Sequence, residues 1–328
     1  MFDSSIILVT GGTGSWGYEL VSQLLKLNPL KIIVFSRNEN NQVKMERAFN
    51  NPHLQFCIGD VRDLNEVTRA SKGVDYIFHL AALKHVPVCE DQPFEALKTN
   101  VIGTKNIIDA AIKNKVKVVV AISTDKAANP SNFYGMTKAM GEKLIVSANL
   151  QNSDTKFICV RGGNLLGSNG SVMHLFIKQI KEKRKIGITD KLMTRFFLNI
   201  QEAIDLLLKA TAIGQGGEIF VMATPACRII DLAQVLVEAS GEKTVEFIEL
   251  GIRPGEKTHE ILYTEFESQS TVVYDEQLLV ILPTIDIPDL QAFYYPYPQV
   301  SFKNYSSNDA LMSINEIKSM LLLGGFIS

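Results

Sequence analysis

Ser5-Ile-Ile-Leu-Val-Thr10-Gly11-Gly12-Thr13-Gly14-Ser15-Trp16-Gly17 joins a short apolar run to a set of spaced glycines. The run is predicted to be a buried strand. Beyond it, Leu20, Val21, Leu24 and Leu25 recur at helical spacing. The glycines therefore occupy a strand–turn–helix. Gly11 permits the tight turn, Gly14 lets backbone N–H groups approach a pyrophosphate, and Gly17 lets helix and strand pack closely. Thr13, Ser15 and Trp16 share that turn. A glycine pattern with a strand before it and a helix after it predicts a dinucleotide site.

The next strands extend this reading. Lys31-Ile-Ile-Val-Phe35 ends in Ser36-Arg37. An NAD-preferring site carries Asp or Glu there for the ribose hydroxyls, whereas a hydroxyl and a guanidinium suit a 2′-phosphate. NADP is therefore expected, the plain alternative being an exposed loop arginine. Leu54 to Ile58 is the third strand. Asp60 follows it, placed to accept from an adenine amino group, with Val61 beside it. Tyr76 to Leu80 is the fourth, and the small Ala81-Ala82 let backbone pass beside a cofactor. Lys84 and His85 lie within reach of the site's mouth, though a solvated loop reads equally well. Asn100 opens a helical run toward the fifth strand, Val116 to Ile122. Strands and helices alternate with short connections, which predicts an α/β doubly wound parallel sheet.

The fifth strand runs into Ser123-Thr124-Asp125-Lys126, followed by Tyr134 and Lys138. Ligands bind at the carboxyl ends of strands in such sheets. Tyr134 and Lys138 are four apart and share one helix face. An ammonium beside a phenol favours phenolate and lowers the tyrosine pKa, giving a base for an alcohol being oxidised. Asp125-Lys126 sets a carboxylic acid next to an amine just before that helix. Alone, the first pair also describes a solvated helix face, and the second an exposed ion pair in a turn. A dinucleotide site upstream gives both a catalytic meaning.

Phe157 to Arg161 reads as the sixth strand, and a glycine-rich loop runs from Gly162 to Val172. Helices are predicted over 172–183, 201–212 and 230–239, and a strand over 218–222. Arg253-Pro-Gly-Glu-Lys257 marks a turn. There Arg253 can grip a diphosphate bidentately, and Glu256 can accept from a ribose or sugar hydroxyl. The aromatic tail reads as an irregular lid or interface segment ending in a short helix over 314–322. The expected division is a cofactor-binding domain over 1–165, with strand and helix returning from about 190–240, and a smaller α/β substrate domain over 166–328.

Composition limits the alternatives. The chain has 328 residues, is 21% charged and carries a formal net charge of −2, so nothing draws it to nucleic acid or anionic membrane. No apolar run is long enough to span a bilayer and no signal peptide precedes the first strand, so a cytoplasmic enzyme is expected. Cys57, Cys89, Cys159 and Cys227 are scattered without Cys-x-x-Cys or Cys/His spacing, so buried free thiols are expected, with neither a metal nor a disulfide framework.

Thr10 to Gly17, Asp60, Ala81-Ala82, Ser123, Tyr134 and Lys138 resemble the extended short-chain dehydrogenase/reductases, whose cofactor domain is a Rossmann fold. Phe35-Ser36-Arg37, Ala82 to Pro87, Ser123 to Pro130, Met193-Thr-Arg-Phe-Phe197 and Arg253 to Lys257 resemble, more narrowly, bacterial UDP-N-acetylglucosamine 4,6-dehydratases of polysaccharide and pseudaminic acid pathways. The likeness covers residues 3 to 265; the tail matches poorly. Hexose dehydratases that retain C5 configuration carry Asp-Glu where this chain has Asp125-Lys126. The resemblance implies that Tyr134 takes the C4 hydroxyl proton as NADP+ takes the C4 hydride. It makes Lys126, when neutral, the base at C5, and Asp125 the acid that releases the C6 hydroxyl as water. Hydride then returns to C6, giving a 4-keto-6-deoxy sugar inverted at C5. Thr124 would bond the C4 oxygen. The resemblance also carries Lys84 and Asn100 to the cofactor, and Lys84, Asn164, Arg195, Arg253 and Glu256 to the substrate. It implies a homo-oligomer, dimer or hexamer.

The family pattern Arg-Tyr-Gly-Asn is here Arg161-Gly162-Gly163-Asn164, so a ring expected to line the sugar pocket is absent. Other outcomes stay open. Hydride returned to C4 would give a 5,6-ene sugar. A UDP-hexose 4-epimerase or NADP reductase would need Tyr134 and Lys138 but not Asp125-Lys126. A non-catalytic NADP-binding sensor would need neither pair.

Overall fold

The computed structural model describes residues 1–151, 154–168, 170–309 and 311–327. Its first half alternates as predicted. Strand β1 (Ile6–Thr10) leads to helix α1 (Ser15–Leu25), β2 (Lys31–Ser36) to α2 (Glu39–Phe49), and β3 (Leu54–Ile58) to α3 (Leu64–Ala70). After β4 (Tyr76–His79) come two short helices, α4 (Val86–Asp91) and α5 (Pro93–Leu97), a π-helical turn over Lys98–Ile102, and α6 (Gly103–Asn114). Strand β5 (Val118–Thr124) leads through a 3₁₀ turn, Asp125–Ala127, to α7 (Phe133–Ala148) and then β6 (Lys156–Gly162).

The second half contains β7 (Asn164–Leu165), α8 (Val172–Lys183), β8 (Lys185–Ile188), β9 (Thr194–Leu198), α9 (Ile200–Ile213), β10 (Ile219–Met222), β11 (Ala226–Arg228) and α10 (Ile229–Ser240). It continues with β12 (Glu246–Glu249), β13 (Ile261–Tyr263), α11 (Glu265–Ser268), β14 (Thr271–Val273), β15 (Leu278–Ile281), α12 (Leu290–Tyr294), β16 (Tyr305–Ser306) and α13 (Ile314–Leu323).

Nine strands form the main sheet in the order β14-β15-β10-β6-β5-β4-β1-β2-β3. β1 to β6 and β10 are mutually parallel. Their apolar runs reflect burial on both faces. Ile7 and Val9 of β1 pack with α1 and α9 on one face, while Leu8 packs with α3, α6 and α7 on the other. The strand order reverses between β1 and β4, opening a crevice at their carboxyl ends.

The segment expected to be irregular adds two strands to this sheet. β15 pairs antiparallel with β10, and β14 with β15. All four residues of β15 are buried, because Leu278-Leu-Val-Ile281 continues the apolar layer that β10 begins. The second lobe has its own core, in which Met173, Phe176, Ile186, Leu232, Leu236, Ile317 and Leu321 join α8, β8, α10 and α13. Among the described residues no helix is long and apolar enough to cross a membrane, and no cluster of His, Cys, Asp and Glu could hold a metal. The four cysteines are unpaired; Cys89, Cys159 and Cys227 are buried, whereas Cys57 is partly exposed, contrary to expectation.

Candidate active site

The carboxyl ends of β1, β4 and β5 face a cleft of ≈ 740 Å³, whose far wall comes from the second lobe. The turn after β1 forms one end. Gly11 has φ +67°, and a Cβ there would lie 2.8 Å from the Ala81 backbone nitrogen. Only glycine therefore lets β1 and the loop after β4 approach this closely. No side chain caps the amino end of α1, where Gly14 stands at the N-cap. Backbone donors at such an end suit a pyrophosphate. Thr13, Gly14, Ser15, Trp16, Ala81, Ala82 and Lys84 line the cleft beside it, and burial lowers the Lys84 pKa. Gly17 lies behind this wall, buried within α1.

Ser36, Arg37, Asp60 and Val61 line the same end. Gln42 holds Ser36 by donating to its hydroxyl and carbonyl, each at 3.0 Å. Arg37 is 53% exposed and 3.8 Å from Asp60. Asp60 accepts from Arg62 Nε at 2.8 Å and from the Arg62 backbone N–H at 3.0 Å, contacts that outweigh its partial burial and hold its pKa below the usual carboxylate range. The Asn100 side chain, expected at the cofactor, is spent elsewhere. It accepts from Leu83 N–H at 2.8 Å and donates to Leu83 C=O and Thr137 Oγ1, each at 2.9 Å. Buried under the loop after β4, it fixes that loop's backbone instead of lining the cleft.

At the end of β5 the side chains expected to react converge. Thr124 caps the 3₁₀ turn by accepting from Lys126 N–H at 3.4 Å. Asp125 is fully buried; its Oδ1 accepts from Thr124 Oγ1 and Lys126 Nζ, both at 2.9 Å, while Oδ2 has no hydrogen-bond partner. A Cβ at Gly135 would lie 2.2 Å from the Lys126 carbonyl oxygen, so the first turn of α7 rests directly on the Lys126 peptide. Tyr134 and Lys126 thereby face the same space. Asn132 caps α7 by accepting from Gly135 N–H at 2.8 Å, and its amide donates to Gly255 C=O at 2.9 Å. Lys257 Nζ donates to Ala128 C=O at 3.0 Å. The Arg253–Lys257 turn is thus docked on the start of α7, with Arg253 and Glu256 lining the cleft 3.4 Å apart.

One expectation about proton chemistry, a Tyr134 pKa lowered by Lys138, is corrected. Lys138 Nζ donates to the Ile122 carbonyl, and burial lowers its pKa. Burial raises Tyr134 to about 12; the charge that opposes this rise is that of Lys126, helped by a hydrogen bond with Thr124. The phenol is therefore not held near neutrality by its helical neighbour. Lys126 is held in its charged form. Although desolvation opposes its charge, Asp125 and Glu260 together raise its pKa and keep it an ammonium.

Glu260 escaped the sequence reading. It lies three residues beyond Lys257 at the entry to β13, is 2% exposed, and places Oε1 3.4 Å from Lys126 Nζ. Its only sequence signal is a carboxylate between the turn motif and the apolar Ile261-Leu262. Arg195 donates to the carbonyls of Thr194 and Thr258, at 2.7 and 3.2 Å, with Nε 3.8 Å from Glu260. Asn164 accepts from Lys126 Nζ at 3.5 Å. Both line the cleft, as does Gly163. Gly162 does not: a Cβ there would point at Met222 Sδ, 3.2 Å away in the core. The missing ring of Gly162 therefore concerns the core beside β10 and not the width of the cleft. Asn169, within the glycine-rich loop, lies outside the described residues.

Residues 7–281 match the model of a family described as polysaccharide biosynthesis protein. A UDP-N-acetylglucosamine 4,6-dehydratase (inverting) of Campylobacter jejuni is 43% identical over 88% of this chain and 86% of its own. A UDP-glucose 4-epimerase of Rickettsia rickettsii is 41% identical over 98% of this chain and 96% of its own. The solved structure of Pen from Bacillus thuringiensis, 37% identical, superposes with a TM-score of 0.94 over the whole of both chains. With its glycine turn, Tyr134-x-x-x-Lys138 pair and parallel sheet, this chain belongs to the polysaccharide biosynthesis protein family of extended short-chain dehydrogenase/reductases.

Proposed function

We propose that this chain is an NADP-dependent UDP-N-acetylglucosamine dehydratase that removes water across C5 and C6 after transient oxidation at C4. The supporting observation is the Asp125–Lys126 hydrogen bond at 2.9 Å, which ties the buried Asp125 to Lys126 on the cleft wall that Tyr134 and Arg253 also line. A 4-epimerase has no use for that pair.

Residues at the β1 turn, Ser36, Arg37 and Asp60 would hold NADP+, which when bound accepts the C4 hydride and returns hydride at C6. Tyr134 receives the C4 hydroxyl proton, its basic form favoured by Lys126 and Thr124. The resulting ketone acidifies the C5 proton. Moving one proton from Lys126 Nζ to Asp125 Oδ1 converts ammonium and carboxylate into amine and carboxylic acid, with no change in proton count. The Lys126 amine then takes the C5 proton, and the C5–H electron pair becomes the new C5–C6 double bond as the C6–O bond breaks. The departing oxygen takes the Asp125 proton and leaves as water. The pair ends as it began, ammonium and carboxylate, so the loss of water needs no exchange with solvent. Once C6 has received hydride, C5 takes a proton from solvent on the opposite face, which balances the proton that Tyr134 received from the C4 hydroxyl and releases to solvent. Self-association as a dimer or hexamer belongs to the same proposal.

Proton NMR of the product from UDP-N-acetylglucosamine, formed in D2O, tests the reading. A C6 methyl signal with deuterium at C5 is expected, its couplings reporting inversion. An exocyclic methylene signal would mean hydride returned to C4. The Rickettsia relative favours one other reading, a 4-epimerase, which would leave C5 and C6 protons unchanged.

A further inference from the structure

Four charges alternate from the turn after β5 to the second-lobe wall of the cleft. Asp125 and Glu260 flank Lys126 at 2.9 and 3.4 Å, and Arg195 Nε stands 3.8 Å from Glu260. Glu260 is not placed by chance packing. Its N–H donates to Ser307 Oγ and its C=O accepts from Ser307 N–H, both at 2.9 Å, so the β13–β16 region pins its backbone. Its Oε2 is buried and lacks a hydrogen-bond partner. Such a group is costly unless something supplies a donor.

We infer that Glu260 is a positioning residue that controls when Lys126 becomes an amine, an inference that rests on the dehydratase reading above. Proton transfer from Lys126 to Asp125 leaves Glu260 facing a neutral amine, so the Glu260 charge opposes the transfer through its attraction for the ammonium. A sugar hydroxyl donating to Glu260, which lines the cleft, draws off part of that charge, and Arg195 draws off more. Lys126 therefore releases its proton to Asp125 when the sugar is seated. Desolvated amine is kept out of the empty cleft, where it would gain a proton from water. The ionisable groups facing Lys126 are Asp125, Glu260, Arg195, Lys257 and the Tyr134 phenol.

The test compares wild type with Glu260→Gln across pH 6 to 10, following deuterium entry at C5 in D2O. Because the proton passes from Lys126 to Asp125 without exchange with solvent, removing the Glu260 charge is expected to raise the turnover rate about tenfold, roughly one unit of pKa at Lys126, throughout this pH range, with KM changed far less than the rate. Glu260→Asp withdraws the charge by one methylene; it gives a smaller rise in rate and carries the test if the glutamine variant does not fold. An unchanged or lower rate in the folded variant overturns the inference. A second readout does not depend on turnover: the ¹³Cε signal of Lys126, identified by its loss in Lys126→Arg, should titrate at lower pH in Glu260→Gln than in wild type. If wild type places no deuterium at C5, the dehydratase reading fails by itself, and this titration still decides whether Glu260 governs Lys126.

Discussion

At the residue scale the site turns on which atom holds a proton. Lys126 and Asp125 share one across 2.9 Å, and removing either ends the exchange. Lys126→Ala is expected to abolish the C6 methyl product and C5 deuteration, while oxidation at C4, which uses Tyr134, persists as a trace of reduced cofactor. Absorbance at the reduced-nicotinamide band under single turnover, read beside the NMR, separates the two steps; a fully active variant would remove Lys126 from the chemistry. On the proposed reading, Arg37 governs cofactor choice in the same local way. A guanidinium bonding a 2′-phosphate contributes about 2 kcal/mol, roughly 30-fold in affinity. Arg37→Ala is therefore expected to weaken NADP by that factor and leave NAD nearly unchanged in titration calorimetry. Equal losses for both cofactors would assign Arg37 to the surface. These identities were readable in the sequence because each sits at a fixed offset from a strand end. The ammonium state of Lys126 was not, because Glu260 reaches it from a distant segment that only the fold brings close.

At the element scale, the loop after β4 shows how a buried polar side chain serves a site it does not line. Three hydrogen bonds from Asn100 fix Leu83 and reach across to Thr137 on α7. Asn100→Ala strands the Leu83 N–H and C=O, a loss of about 1–3 kcal/mol of stability. Cofactor affinity should fall with it, because Ala81 and Ala82 belong to the same loop. Urea unfolding and cofactor titration on one preparation check both; unchanged affinity would uncouple the loop from the site. Elements were legible where one rule decided them. Runs buried on both faces marked β1 to β6 within a residue or two of their ends, and α8 spans 172–183 as its apolar period predicts. β14 and β15 were hidden by the aromatic, proline-bearing sequence around them. Their pairing with β10 comes from burial against a completed sheet, a tertiary cause that local pattern does not carry.

At the scale of the whole molecule, the cleft depends on two lobes held in register, and one buried ion cluster spans them. Arg161, on β6 and 1% exposed, donates from Nε and Nη2 to both oxygens of Glu142 on α7, at 2.9 and 2.7 Å. It also donates to Glu267 on α11 at 3.1 and 2.9 Å, and to the Leu262 carbonyl on β13 at 2.8 Å. All its donors toward these partners are used, so the cluster fixes one arrangement of the main sheet, α7 and the strand that carries Glu260. Burial pushes the Glu267 carboxyl up, but Arg161 and the Thr264 contacts together bring it below its ordinary value. A carboxyl lowered in the folded state gives stability that is full above its unfolded pKa and is lost as pH falls through the folded one. His79 works toward the same acid sensitivity. Burial lowers its pKa to about 3, with Thr10 Oγ1 at 2.8 Å and Thr104 Oγ1 at 3.2 Å. The folded state resists its protonation, so stability falls as pH drops below the unfolded value near ~6.5, by about 2 kcal/mol between pH 6.5 and pH 5. His79→Gln should flatten that slope in urea unfolding at the two pH values, and an unaltered slope would place the titration elsewhere. Arg161→Leu tests the cluster itself. It leaves two carboxylates buried without their cation, a loss of about 3–5 kcal/mol. Adding Glu142→Leu and Glu267→Gln to it removes the stranded charges, and thermal unfolding should recover most of the loss. Recovery of stability without recovery of turnover would show that the cluster is kept for the geometry it imposes on β13 and Glu260.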